Sequence, residues 1–208
     1  MRGGSIIDTF VFDIGNVLLD FNYPEQYRAI YDEQTARALA DATVRNTALW
    51  AEMDRGVLSY DRVIALLQKD TPHLAPEIAH AIPLLYRRVQ PFPYAKPWLC
   101  ALKEKGYRIY ILSNYGELPY AWSKPRMDFL PYADGALISY EVQDIKPSRA
   151  VFETLCDRFA IDPQRAVFID DAAANIAAAE AFGLNAVLFT GYTAALDALR
   201  DLPLAYGV

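Results

Sequence analysis

The sequence predicts a three-layer α/β fold, a parallel sheet covered by helices on both faces, interrupted by a helical insert. Three observations carry this. Short apolar runs rich in β-branched and aromatic residues recur along the chain, as strands buried on both faces require. Amphipathic helical patterns separate them, the alternation of a parallel sheet. One long stretch, residues 22–91, lacks any such run. At 208 residues the chain fits one domain, or one domain with an insert, at roughly 100–200 residues per domain.

The first strand is read over residues 6–12, ending in Phe10-Val11-Phe12. Similar runs fill 107–112, 166–169 and 186–189, with a weaker candidate at 135–139. Helices are expected over 94–105, which stops at Gly106, and over 147–159, with Pro147 in its first turn. Two more follow, over 172–182, which ends at the capping residue Gly183, and over 193–200. The insert is read as four helices, over 25–31, 35–53, 60–69 and 76–88, with Ser59 as an N-cap. Gln90-Pro91-Phe92-Pro93 is the expected hinge back. The domain boundaries are therefore 1–21 with 92–208 for the core and 22–91 for the insert.

Composition narrows the function. Apolar residues make up 53% and charged residues 22%, an ordinary balance that excludes disordered and fibrous chains. The net charge of −6 argues against nucleic-acid or anionic-membrane partners, whose binding rests on basic patches. The N-terminal apolar run is broken by Asp8 and is too short for a signal peptide or membrane span, which predicts a soluble cytoplasmic protein. Cys100 and Cys156 form no CxxC pair, and Cys156 falls on the apolar stripe of Phe152, Leu155 and Phe159. His73 and His80 lie in a polar helical stretch, which disfavours a histidine metal site.

Ligands of open α/β sheets bind at the carboxyl ends of the strands. Asp13 follows the first strand, Ser113-Asn114 the second and Asp170-Asp171 the fourth; Lys146 precedes the 147–159 helix, and Asn175 lies four positions beyond Asp171. Carboxylates that converge repel one another unless a cation joins them, and Mg²⁺ suits a carboxylate site that also takes phosphate. Lys146 and Ser113 supply a fixed charge and a hydroxyl for a phosphoryl group. A carboxylate nucleophile then gives an aspartyl-phosphate.

Phe-Asp-Ile-Gly-Asn-Val-Leu-Leu-Asp (12–20), Leu-Ser-Asn (112–114), Lys-Pro (146–147) and Phe-Ile-Asp-Asp-Ala-Ala-Ala-Asn-Ile (168–176) together resemble the four motifs of the haloacid dehalogenase superfamily. The likeness spans nearly the whole chain. It implies a Rossmann-like sheet of order 5-4-1-2-3 with a helical C1 cap after the first strand. The first motif most resembles the sugar-phosphate phosphatase-like branch, including bacterial α-glucose-1-phosphate phosphatases. Carried over, Asp13 is the nucleophile and, with the Gly15 carbonyl, Asp171 and Asp170, a Mg²⁺ ligand. Ser113 and the Asn114 backbone N–H hold phosphoryl oxygens, Lys146 neutralises charge, and Asn175 supports the site from behind.

Most phosphatases of the superfamily carry a proton-transferring Asp where this chain has Gly15. Such a group contributes typically ~10²–10⁴-fold. Asp20 and Asp54 are the candidate substitutes; otherwise a good leaving group, as in a sugar 1-phosphate, lowers the need. The turn of Asp54, Arg55, Gly56, Val57, Leu58 and Ser59 resembles the segment that C1 caps dip toward the site. It makes Asp54 and Arg55 candidate substrate contacts, or leaves them in a solvated turn. Tyr23, Tyr27 and Tyr31, at every fourth position, are read as the cap's own packing. The expected activity is Mg²⁺-dependent hydrolysis of a small phosphorylated metabolite, a sugar 1-phosphate favoured, by a monomer or homodimer. The alternatives are a dehalogenase, or a weakly catalytic phosphate- or Mg²⁺-binding regulator.

Overall fold

The computed structural model describes residues 5–43 and 47–208. Five strands form the parallel sheet: β1 (Thr9–Phe12), β4 (Arg108–Ser113), β5 (Gly135–Ile138), β6 (Ala166–Asp170) and β7 (Asn185–Leu188). They lie in the order β5-β4-β1-β6-β7. Counted along the chain and read from the β7 edge, this is the expected 5-4-1-2-3. Phe12 aligns with Ile111 of β4 and Ile169 of β6, so the residues after these three strands emerge at one edge. Every residue of β1 and β6 is buried, as double-faced coverage demands.

The other two strands, β2 (Leu19–Asp20) and β3 (Gln90–Pro91), form a small antiparallel pair. They are the two chain crossings between core and insert, and Phe92 N–H donates to the Leu18 carbonyl beside them. The expected hinge is therefore half strand: its backbone is held to the outgoing crossing.

Among the described residues, five α-helices lie between these crossings: α1 (Tyr23–Arg28), α2 (Glu33–Ala42), α3 (Thr47–Asp54), α4 (Tyr60–Asp70) and α5 (Ala75–Arg88). Ser59 caps α4 by accepting the Arg62 N–H. The single helix expected over 35–53 is two, and residues 44–46 of that stretch lie outside the described residues. The cause sits at Thr43. Its hydroxyl turns back to the Leu39 carbonyl and pairs with the Tyr27 hydroxyl, while its carbonyl accepts the Trp50 indole N–H, so it is not spent on continuing the helix.

The core helices are α6 (Ala95–Glu104), α7 (Glu117–Ser123), α8 (Arg149–Phe159), α9 (Ala173–Phe182) and α10 (Tyr192–Arg200). Pro147 lies ahead of α8 and not in its first turn, because the Ser148 hydroxyl accepts the Ala150 N–H and begins the helix there. Helix α7, with Pro119 in its first turns, has no counterpart in the sequence reading. Gly183 ends α9 at φ +115°, a conformation glycine adopts without a Cβ clash.

One face of the sheet packs Val11, Leu112, Phe152 and Phe168, together with Cys156. The other joins Phe12, Trp98 and Ile109 to the cap residues Tyr27, Leu39, Leu67 and Ile82 in one continuous cluster. No described helix is long and apolar enough to cross a membrane.

Candidate active site

Three strand ends meet around Lys146, whose side chain is buried to 1% exposure. Its Nζ lies 2.8 Å from Asp13 Oδ1, donates to Asp170 Oδ2 at 2.6 Å and to the Leu112 carbonyl at 3.0 Å. Burial alone lowers its pKa, but the two carboxylates outweigh this and hold the ammonium above its ordinary range. Asp13, at the end of β1, has its carboxyl raised from 3.8 to about 6, by burial first. Lys146 lowers it, Asp170 raises it, and the Ser113 hydroxyl, which bonds it, lowers it.

Asp170 is held in place by several donors. Ala172 N–H donates to Oδ1 at 2.8 Å, and the Asn175 amide to both oxygens at 3.0 Å. Asn175 thus stands behind the site, holding Asp170. Asp171 is exposed, and the Asn16 amide donates to it at 3.0 Å. Asn16 adopts φ 53°, a left-handed conformation that asparagine tolerates. The Asn114 side chain clasps the Lys146 backbone, donating to its carbonyl at 3.0 Å and accepting its N–H at 2.9 Å. This clasp fixes the Asn114 side chain beside Lys146.

Asp13, Asp170 and Asp171 each offer a carboxylate oxygen, all within 4.8 Å of one another. Lys146 is the only cation on these three groups among the described residues, and buried Asp13 Oδ1, although ion-paired, has no aligned hydrogen-bond donor. A hard divalent cation with oxygen ligands fits this set.

Position 15 is physically closed. A Cβ on Gly15 would lie 2.9 Å from Phe21 Cδ2 and 4.0 Å from Asp13 Oδ2. The Phe21 ring therefore fills the space where a side chain beside Asp13 would stand. Phe21 packs on Tyr23 and Tyr115, with ring centroids at 5.2 and 5.6 Å.

Asp54, the last residue of α3, reaches the site from the cap. Its carbonyl accepts the Ser139 hydroxyl, which in turn accepts the Tyr115 N–H at 2.8 Å. Burial pushes the pKa of its carboxyl from 3.8 to about 7, with the nearby Gly116 N–H and Lys146 opposing the rise and Asp13 adding to it. Asp54 also lines a cavity in the cap with Tyr23, Tyr27, Trp50, Ile82 and Tyr86. Two other candidates have local partners. Arg55 ion-pairs with Glu52 at 3.6 Å and Asp144 at 3.5 Å and is absent from the cavity wall. Asp20 accepts the Asn22 N–H at 2.9 Å from within β2, a local turn contact. Phe21, Tyr115, Gly116 and the role of Ser139 escaped the sequence reading; none belongs to the four motifs, and they join cap and core through ring packing and hydrogen bonds.

A family model of haloacid dehalogenase-like hydrolases matches residues 7–183. The chain belongs to this family. It is 24% identical over 198 residues to D-ribitol-5-phosphate phosphatase of Bacteroides thetaiotaomicron, covering 82% of this chain and 86% of that one. It is 25% identical over 201 residues to sesquiterpene phosphatase astK of Aspergillus oryzae, covering 92% and 94%. Drimenol cyclase drtB of Aspergillus calidoustus is 24% identical over 187 residues, but the chain spans only 34% of its length. Among solved structures, a family enzyme of Bacteroides thetaiotaomicron in complex with magnesium and inorganic phosphate superposes with TM-score 0.68 at 20% identity, covering 88% of this chain and 93% of that one. The L-2-haloacid dehalogenase of Xanthobacter autotrophicus superposes with TM-score 0.67 at 16% identity, covering 94% and 83%. At these identities the structures share the fold.

Proposed function

We propose that this hydrolase is a Mg²⁺-dependent phosphomonoesterase working through an aspartyl-phosphate on Asp13. The observation that carries the reading is the triad of carboxylates within 4.8 Å, with one buried lysine bound to two of them. Asp13, Asp170, Asp171 and the Gly15 carbonyl would hold the ion. Bound there, it neutralises carboxylate charge and polarises phosphoryl oxygens.

An Asp13 oxygen attacks phosphorus, the P–O bond to the organic group breaks, and the departing oxygen takes a proton. Ser113, the Asn114 N–H and Lys146 hold the phosphoryl oxygens. Asp54, with a pKa near 7, supplies that proton and then takes one from the water that splits the acyl phosphate, releasing inorganic phosphate and free Asp13. A metal-free dehalogenase has no use for the Asp170-Asp171 pair, which disfavours that reading.

The expectation of a sugar 1-phosphate rests on the missing acid at position 15. Asp54 meets that need, so an activated leaving group is not required. The relatives named for ribitol 5-phosphate and sesquiterpene phosphates span polar and apolar alcohols and do not choose between them. The test is Mg²⁺-dependent phosphate release from a panel of monoesters, with acid-quenched detection of phosphoprotein. Asp13→Asn should abolish both while keeping the native melting temperature; retained phosphate release in that variant would reassign the nucleophile.

A further inference from the structure

The cap cavity holds about 320 Å³, within the range of small-molecule sites. Rings and aliphatic chains make most of its wall: Tyr27, Trp50, Ala51, Ile82, Leu85 and Tyr86. Tyrosines and a tryptophan would normally suit a sugar, but here the polar tips of Tyr27 and Trp50 are already spent. The Tyr27 hydroxyl pairs with Thr43 Oγ1 at 2.7 Å. The Trp50 N–H donates to the Thr43 carbonyl. The Tyr23 and Tyr86 rings meet edge to face, with centroids at 6.0 Å. Among the described residues, the wall leaves Asp54, Thr47 and the hydroxyls of Tyr23 and Tyr86 as side-chain polar groups to offer. Asp54, which feels the charge of Asp13, is the acidic member of this wall.

We infer that the substrate is a phosphomonoester with an apolar organic part, a single aromatic ring or a short branched hydrocarbon, seated in this cap cavity. This rests on the phosphatase reading above. The volume equals that of about ten liquid waters, which suits a group of that size. A hexose would lay hydroxyls against Trp50, Ala51, Ile82 and Leu85, which offer them no partner, each costing roughly tenfold or more in affinity. An apolar group loses nothing there and displaces water from ring faces.

The experiment compares kcat/KM for benzyl phosphate, glucose 6-phosphate and acetyl phosphate on the Mg²⁺-loaded wild type. The expected result is benzyl phosphate at least tenfold above glucose 6-phosphate. Equal or reversed values, with turnover present, overturn the inference and leave the phosphatase reading standing. If none of the three is hydrolysed, the phosphatase reading fails. Calorimetry of the Mg²⁺-loaded protein then decides the class: tighter binding of benzyl phosphate than of glucose 6-phosphate supports it, and no preference overturns it. Ala51→Phe, which fills the cavity, should lower the benzyl-to-acetyl ratio of kcat/KM at least tenfold; an unchanged ratio in a folded variant overturns the assignment. Ile82→Phe takes its place if Ala51→Phe does not fold.

Discussion

Around Asp170 the carboxylate meets donors from Lys146, Ala172 and Asn175. In the cap cavity the polar tips of Tyr27 and Trp50 are turned to Thr43, and most of the ligand-facing surface is ring and aliphatic chain. The first region suits a ligand of fixed charge and geometry, since unmatched charge in a buried site is costly. The second suits a ligand defined by size and apolarity, where shape carries discrimination. Asp54 alone belongs to both. A division of labour follows: the core holds whatever is common to all phosphate esters, and the cap reads what is attached.

The largest effects belong to the core. Asp13→Asn should lower turnover by about 10⁴-fold or more, with apolar ligands still entering the cap. Loss of their binding as well would show that the two regions are not separable. Lys146→Met comes next. It removes the cation between two buried carboxylates, which typically costs about 3–5 kcal/mol. Denaturant melts of the ion-free protein should show that loss and Mg²⁺ should recover part of it. No loss would mean that Asp13 and Asp170 take up protons without penalty.

Asp54→Asn acts on the junction. It should lower kcat by ~10²–10⁴-fold and change the pH dependence of stability. In the ion-free protein Asp54 titrates near 7 and Asp13 near 6, against 3.8 ordinarily. Between about pH 4 and 7 the folded state therefore holds protons that the unfolded chain has released. Stability falls as pH rises through that window. Melting temperatures of the ion-free protein should decline from pH 5 to 8, and less steeply in Asp54→Asn. An unchanged slope would remove Asp54 from the buried junction.

The same division explains what the sequence discloses. Asp13, Ser113, Lys146 and Asp170 are legible because each ends or follows an apolar run or precedes a helix, and parallel topology brings strand ends together. The cap follows another logic. The partners of Asp54 (Gly116 and Ser139) come from core loops far along the chain, and no local pattern marks such contacts. The break after Ala42 is equally hidden, because it depends on Thr43 meeting Tyr27 and Trp50 in space. Gly15 is half legible: its lack of a side chain is plain in the sequence, but only the packed structure reveals that Phe21 fills the gap. Gly15→Ala should cost about 1–3 kcal/mol by overpacking, and much less in a Phe21→Ala background. Equal costs in both backgrounds would mean that the ring gives way freely.

The smallest expected effect is at Arg55, and it discriminates sharply. Its guanidinium is 34% exposed and lies 3.5–3.6 Å from Asp144 and Glu52, pairs of the kind worth about 0–1 kcal/mol. Arg55→Ala should therefore shift stability by no more than that, and kcat/KM for an apolar monoester by less than about threefold. A local turn beside Asp54 makes Arg55 an attractive substrate contact on sequence grounds, since it is the nearest cation to the cap's acid. The structure pairs it with two carboxylates, Glu52 and Asp144, which offset its charge before a ligand could use it. If kcat/KM instead falls more than tenfold at native stability, Arg55 leaves those partners during turnover and faces the substrate. The cap would then present a cation to its ligand, and the contrast between a charged floor and an apolar ceiling would fail.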